Sequence, residues 1–322
     1  MGGIEHVSDG AGPSGAHSYR GLAVEEAIRA WNFESVWALL VDGEVGSPLP
    51  PAEAFPLPIR TGDHRVDMQS ALAGLAPVWG FTSLPTTSPA SARASLARAS
   101  VMALSFLAQS ARGPEVPAVP DWVVDQVSGI ARRFLTRWRG EADERRVRAI
   151  NAGWVAIAAA PRCPSLEVAR RTAATGADIA ACLSAAVAAS SGPLGAGAAA
   201  RLAEVLTTSP GGAQVREFRR QWGFARNSSP HASPQVEALE EVSREVGSDH
   251  TLVAAHAAEI AHYTHPRFST EQLLTTLWVT HLFTFAGVPP RMLTAMFACG
   301  KTAGWSATIV SEHSRLLEKL RR

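Results

Sequence analysis

The stretch VPPRMLTAMFACGKTAGWSATIVSEH, residues 288–313, lies in a run from Pro290 to Arg322 that reads as one helix. Thr270–Ala286 and Leu252–Tyr263, just upstream, carry the same helical character. Further back, Asn32 is placed to cap a helix in which Phe33, Val36, Trp37 and Leu40 fall at i, i+3, i+4 and i+7. Ser91–Arg112 spaces Leu96, Val101, Leu104 and Leu107 among good helix formers and stops at Gly113-Pro114. Pro120–Arg139 repeats the pattern with Trp122, Val124, Val127, Ile130, Phe134 and Trp138. Ala169–Ser191 is rich in Ala, Ser and Gly, which permits helices to approach closely. No run alternates apolar and polar residues as a half-buried strand would. The class is all-α.

Bulk properties narrow the function classes. Of 322 residues 46% are hydrophobic, enough for a sizeable core. With 30 basic and 29 acidic side chains the formal net charge is +1, which offers no electrostatic case for nucleic acid or an anionic membrane. Cys163, Cys182 and Cys299 are widely spaced and read as reduced thiols of a cytoplasmic protein. The first 21 residues are polar and Gly-rich, without the apolar core of a signal peptide. No apolar run reaches the ~18 residues of a membrane span, and no repeat of about 20–50 residues is present. Turn-forming residues gather at 47–58, 83–89, 209–213 and 227–234, the last two bracketing an irregular stretch.

Four blocks, in order, resemble the citrate synthase superfamily, and within it the shorter actinobacterial citrate synthase 2 / methylcitrate synthase group. They are Tyr19-Arg20-Gly21 followed by FESVWALLVDGEV; FPLPIRTGDHRVDMQSALAGLAPVWGF with RASVMALSFLAQSARG; TGADIAACLSAAVAASSGPLGAGAAARL; and the 288–313 stretch. The resemblance implies a large helical domain over 1–195 and 282–322, a small helical domain over 196–281, an active site in the cleft between them, and a homodimer.

It also implies a chemistry. In the family a carboxylate removes a proton from the methyl group of an acyl-CoA thioester, imidazoles hold the enol oxygen and polarise the ketone of oxaloacetate, and arginines grip the dicarboxylate. Carried onto this chain, the histidine of the family's GPLHGGA is replaced by Gly195, and that of GFGHRVY by Arg226, with Asn227 in an arginine's place. Counting back from Val288-Pro289 puts the base position at Thr276, or near it if a small gap intervenes; Glu271 lies five positions off. A third substrate histidine becomes Ala160 and the asparagine after it Cys163, while Lys301 stands for a carboxylate-binding arginine. The chain also ends at Arg322, before the family's arginine-bearing tail. Loss of a base and two electrophilic donors, each worth about 10²–10⁴-fold, predicts that citrate formation is absent.

Other readings of single residues compete. Arg226 and Lys301 form a new anion site or are two solvated cations. Cys163, next to Arg162, is a nucleophile or, as the favoured reading, an inert thiol. His256, His262 and His265, with His250, His281, Asp249 and Glu259 nearby, match no metal signature, so no metal is expected. Gly192–Gly197 follows no strand and is no dinucleotide fingerprint. The tryptophans read as core. Three functions follow: a pseudoenzyme that binds a ligand or a partner, including an active citrate synthase in a heteromer; a repurposed enzyme acting on an acyl-CoA or another anionic substrate in an enlarged cleft; or residual citrate or methylcitrate synthesis. No cofactor is required, though a CoA thioester fits the ancestry.

Overall fold

A computed structural model describes residues 17–46, 49–160, 163–192, 195–207, 212, 216–217, 225–226, 233–264 and 269–321. Among these, fourteen α-helices carry the architecture: α1 (Val24–Ala30), α2 (Phe33–Asp42), α3 (His64–Trp79), α4 (Pro89–Arg112), α5 (Asp121–Asp125), α6 (Ile130–Arg139), α7 (Glu144–Ala156), α8 (Pro164–Ala174), α9 (Ile179–Ser190), α10 (Gly197–Val205), α11 (Pro234–Glu245), α12 (Thr251–Ile260), α13 (Thr270–Phe285) and α14 (Pro290–Leu320). Two antiparallel ladders of two-residue strands complete it, β1 (Ser18–Tyr19) with β2 (Leu22–Ala23), and β3 (Ala225–Arg226) with β4 (Tyr263–Thr264).

Local chemistry explains where helices begin and end. Asn32 accepts a hydrogen bond from the Ser35 amide and caps α2, whose Phe33, Val36, Trp37 and Leu40 are fully buried, as their spacing predicts. Asp63, Asp143 and Asp178 cap α3, α7 and α9 in the same way. Ser269 and Gln272 form a reciprocal capping box at the start of α13.

The expected continuous helix over Pro120–Arg139 is instead broken into α5 and α6. Gly129, at φ +87°, takes a conformation that an α-helix excludes. Trp122, in α5, is 65% exposed, against the expectation of a core position. Trp37, Trp154, Trp278 and Trp305 are fully buried, as expected.

The long helix α14 is the axis of the packing. It touches α2, α3, α4, α7, α8, α9 and α10, and its Met292, Leu293, Phe297, Cys299 and Trp305 are buried. Two glycines bring it close to the segment after α7. A Cβ on Gly300 would meet Ile157 Cγ1 at 2.8 Å, and one on Gly304 would meet the Ala158 carbonyl oxygen at 2.6 Å. The Gly304 amide donates to that same carbonyl at 2.9 Å. Trp154 Nε1 donates to the Met296 carbonyl at 3.0 Å, and Trp305 Nε1 to Ser165 Oγ at 3.0 Å. At the chain's start Arg20 and Gly21 take positive φ, turning β1 into β2, and the buried Tyr19 hydroxyl donates to the Val155 carbonyl at 2.8 Å. That bond carries the neighbouring His17 to the same segment.

Among the described residues no single helix is long and apolar enough to cross a membrane.

His281, on α13, sits beside Ser248 Oγ at 3.0 Å and Ser243 Oγ at 3.2 Å. Burial, then the charge of His250, lowers its pKa from 6.5 to about 4, with Asp249 opposing. Between those values the unfolded chain takes up a proton that the folded imidazole refuses, so stability present above pH 6.5 is lost as pH falls toward 4. The expected loss is about 1–2 kcal/mol, less than the full shift because the ring is partly exposed. Urea unfolding at the two ends of that window measures it, and a His281→Gln variant should flatten the difference.

Candidate active-site cleft

A cavity of about 250 Å³ opens where α7, α10, α13 and α14 converge with the start of α8 and the residue before β1. Its wall is built from sequence-distant pieces. The end of α7 supplies Ala156 and Ile157, the following turn Ala160, and the α8 entry Cys163 and Pro164. The α10 entry contributes Gly195 and Ala196, the α11 start Gln235, α13 Glu271, Gln272, Thr275 and Thr276, and α14 Phe297 and Lys301. His17 closes it from the N-terminal side.

Five positions singled out from the sequence therefore share one wall: Ala160, Cys163, Gly195, Thr276 and Lys301. Arg226 lies on β3 opposite Tyr263, and its side chain is outside the described residues, as are Asn227 and Arg162.

Gly195 is more than a missing side chain. A Cβ there would meet the Ser190 carbonyl oxygen at 2.8 Å, because the turn folds back so that the Ala196 amide donates to that carbonyl at 2.8 Å. The backbone itself fills the space a side chain at 195 would need. Thr276 donates its hydroxyl to the Gln272 carbonyl one turn earlier at 2.7 Å. That proton is committed to the helix, and a hydroxyl is no carboxylate base near neutral pH.

Glu271, set aside for lying five positions from the expected base, and His17, which the sequence did not single out, both line the cleft. The expectation of a cleft lacking both acid and imidazole is corrected by Glu271 and His17. Glu271 stands in the first turn of α13, held by a hydrogen bond from Ser233 Oγ. It reaches the cavity from one turn before Thr275, since residues four apart share a helix face. His17 has its Nε2 buried without a hydrogen-bond partner. Burial lowers its pKa, opposed chiefly by the Glu271 carboxylate, with Gln235 and the Ala159 backbone also favouring the charged ring. The net direction keeps the imidazole neutral near pH 7. Gln235, buried at the start of α11, donates to the Ala156 carbonyl at 3.0 Å and braces the wall between them.

Cys163 is half-buried, with its Sγ 3.6 Å from Lys301 Nζ and 3.1 Å from Ser165 Oγ. Among the described residues no group of three or more His, Cys, Asp or Glu is arranged to hold a metal ion. His256 is buried within α12 and does not line the cleft.

Residues 4–322 match the family model for the citrate synthase C-terminal domain. The chain belongs to the citrate synthase family. It is 42% identical over 310 residues to proteins named "Putative citrate synthase 2" from Mycobacterium bovis and Mycobacterium tuberculosis, an overlap covering 92% of this chain and 83% of theirs. Its fold matches citrate synthase from Thermotoga maritima with a TM-score of 0.68 at 19% identity, over 94% of this chain and 87% of that one. It also matches citrate synthase from Thermoplasma acidophilum, solved as a ternary complex with carboxymethyl coenzyme A and oxaloacetate, with a TM-score of 0.65 at 17% identity over 91% and 85%. At those identities the structural likeness carries the fold.

The electrostatics give a direct check. Replacing Glu271 with Gln removes the main charge opposing the burial of His17, so the imidazole pKa should fall further. An NMR titration of His17 in wild type and Glu271→Gln reads the change, and an unmoved pKa would separate the two side chains.

Proposed function

We propose that the cleft is a binding site for a small carboxylate-bearing compound and that the family's route to citrate is lost. The single observation that carries this reading is the pair Gly195 and Thr276, which line the cavity with a backbone-closed turn and a hydroxyl bonded to its own helix. Neither offers a proton acceptor or an enol-oxygen donor of the required kind. Lys301 supplies a cation for the ligand's carboxylate, as a point charge without the paired grip of an arginine. A volume of about 250 Å³ suits a small acid or the acyl end of a thioester, while a complete nucleotide-bearing carrier would have to extend outside.

A second reading draws on Glu271 and His17. A carboxylate and a neutral imidazole on one cavity are the parts of an acid–base pair, and they favour a repurposed enzyme that moves a proton on a substrate other than the family's. The two readings part in one experiment. Small dicarboxylates should raise the melting temperature of wild type and fail to do so in Lys301→Met, while thiol release from acetyl-CoA or propionyl-CoA with oxaloacetate stays at background. A saturable thiol-release signal abolished by Glu271→Gln would overturn the first reading and assign the chemistry to that carboxylate.

The proposed assembly is a homodimer, with a mixed dimer including an active citrate synthase as its regulatory alternative. Light scattering of the purified chain should return twice the monomer mass, and a monomer at micromolar concentration would remove the homodimer; failure to co-purify with an active citrate synthase would remove the mixed form.

A further inference from the structure

Cys163 is the residue from which the chain enters α8, where Pro164 brings no N–H and the Leu166 and Glu167 amides donate to the Cys163 carbonyl at 3.0 and 3.4 Å. Amides of Ser165 and Leu166 and the Ser165 hydroxyl favour the thiolate, and the Lys301 ammonium faces it across 3.6 Å. Burial alone would push the thiol up, yet these groups together outweigh it and bring its pKa below the ordinary cysteine value. The other two thiols are opposites. Cys182 is pushed up to about 12 by burial and then by Asp178, and burial pushes Cys299 up as well; neither lines the cleft.

A second observation points to an occupant. Thr275, only 6% exposed, lines the same cavity, and its hydroxyl has no hydrogen-bond partner. A buried polar group left unpaired is unfavourable, and a bound carbonyl or carboxylate would relieve it.

We propose that Cys163 is a nucleophile that accepts an acyl group from a small acyl thioester bound in the cleft. The inference rests on the cleft being a ligand site, as argued above, and adds a covalent step to it. The Cys163 thiolate adds to the thioester carbonyl carbon, the bond from that carbon to the donor sulfur breaks, and the donor leaves as a thiolate. That thiolate takes up a proton equivalent to the one Cys163 released. One thioester replaces another, so no oxidant or reductant is required. A thiolate displaces another thiolate readily, whereas alkoxide and amine leaving groups need strong acid assistance. This selects thioesters over oxygen esters and amides.

The test uses the full chain and acetyl-N-acetylcysteamine as the thioester, with intact-mass measurement and peptide mapping. An acetyl adduct should form on Cys163 at least about tenfold faster than on Cys182 or Cys299, and should be removed by excess thiol. Lys301→Met should slow its formation by about tenfold. Cys163→Ser, checked for an unchanged circular dichroism spectrum, should take up no rapid adduct. No adduct on wild type, or equal labelling of all three cysteines, overturns the proposal. Thermal shift of Cys163→Ser with a small dicarboxylate then locates the failure: retained stabilisation removes the covalent step alone, and lost stabilisation removes the cleft reading with it.

Discussion

The approach of α14 to the chain between Trp154 and Ser165 is the contact on which the cleft depends. Two stripes of α14 make it. Gly300 and Gly304, four apart, admit Ile157 and the Ala158 carbonyl to distances that a side chain would forbid. Lys301 and Trp305, also four apart and one step around the helix, face Cys163 and Ser165. Backbone contact therefore sets the depth of the wall, and a cation and an indole N–H set the chemistry at its edge. Displacing α14 outward would separate Lys301 from Cys163 and open the Trp305–Ser165 bond together.

Electrostatic balance inside the cleft follows from that geometry. A partly buried cation beside a thiol favours the thiolate, and a carboxylate beside a buried imidazole offsets part of its desolvation. The two pairs sit on one small cavity with mostly apolar surroundings, where each charge acts more strongly than it would in water. Gly195 and Thr276 add no charge to the wall. The result is a site that joins Cys163 and Lys301, at positions the resemblance singled out, to Glu271 and His17, which lie at others.

Much of the helical framework was legible from periodicity and capping residues. Asn32 with its four buried followers, the α4 stop at Gly113, and α14 itself all follow from local rules that act within one or two turns. The break at Gly129 was not legible from apolar spacing, because the hydrophobic pattern runs on through residues whose backbone does not. Family blocks then located Ala160, Cys163, Gly195, Thr276 and Lys301, and all five do meet. Glu271 was seen and set aside because it was counted along the chain. A helix carries residues four apart to the same face, so Thr275 and Glu271 belong together on the cavity wall.

Sequence by itself determined the all-helical class, the family, and the absence of a histidine at 195 and of a carboxylate at 276, since these depend only on residue identity and local periodicity. Tertiary structure alone decided that His17, separated from Glu271 by most of the chain, closes the same cavity, and that Cys163 meets Lys301. Those are long-range placements, made by the Tyr19–Val155 bond and by the glycine contacts of α14. No pattern within a single segment encodes them, because each arises from where two separately folded helices come to rest against each other.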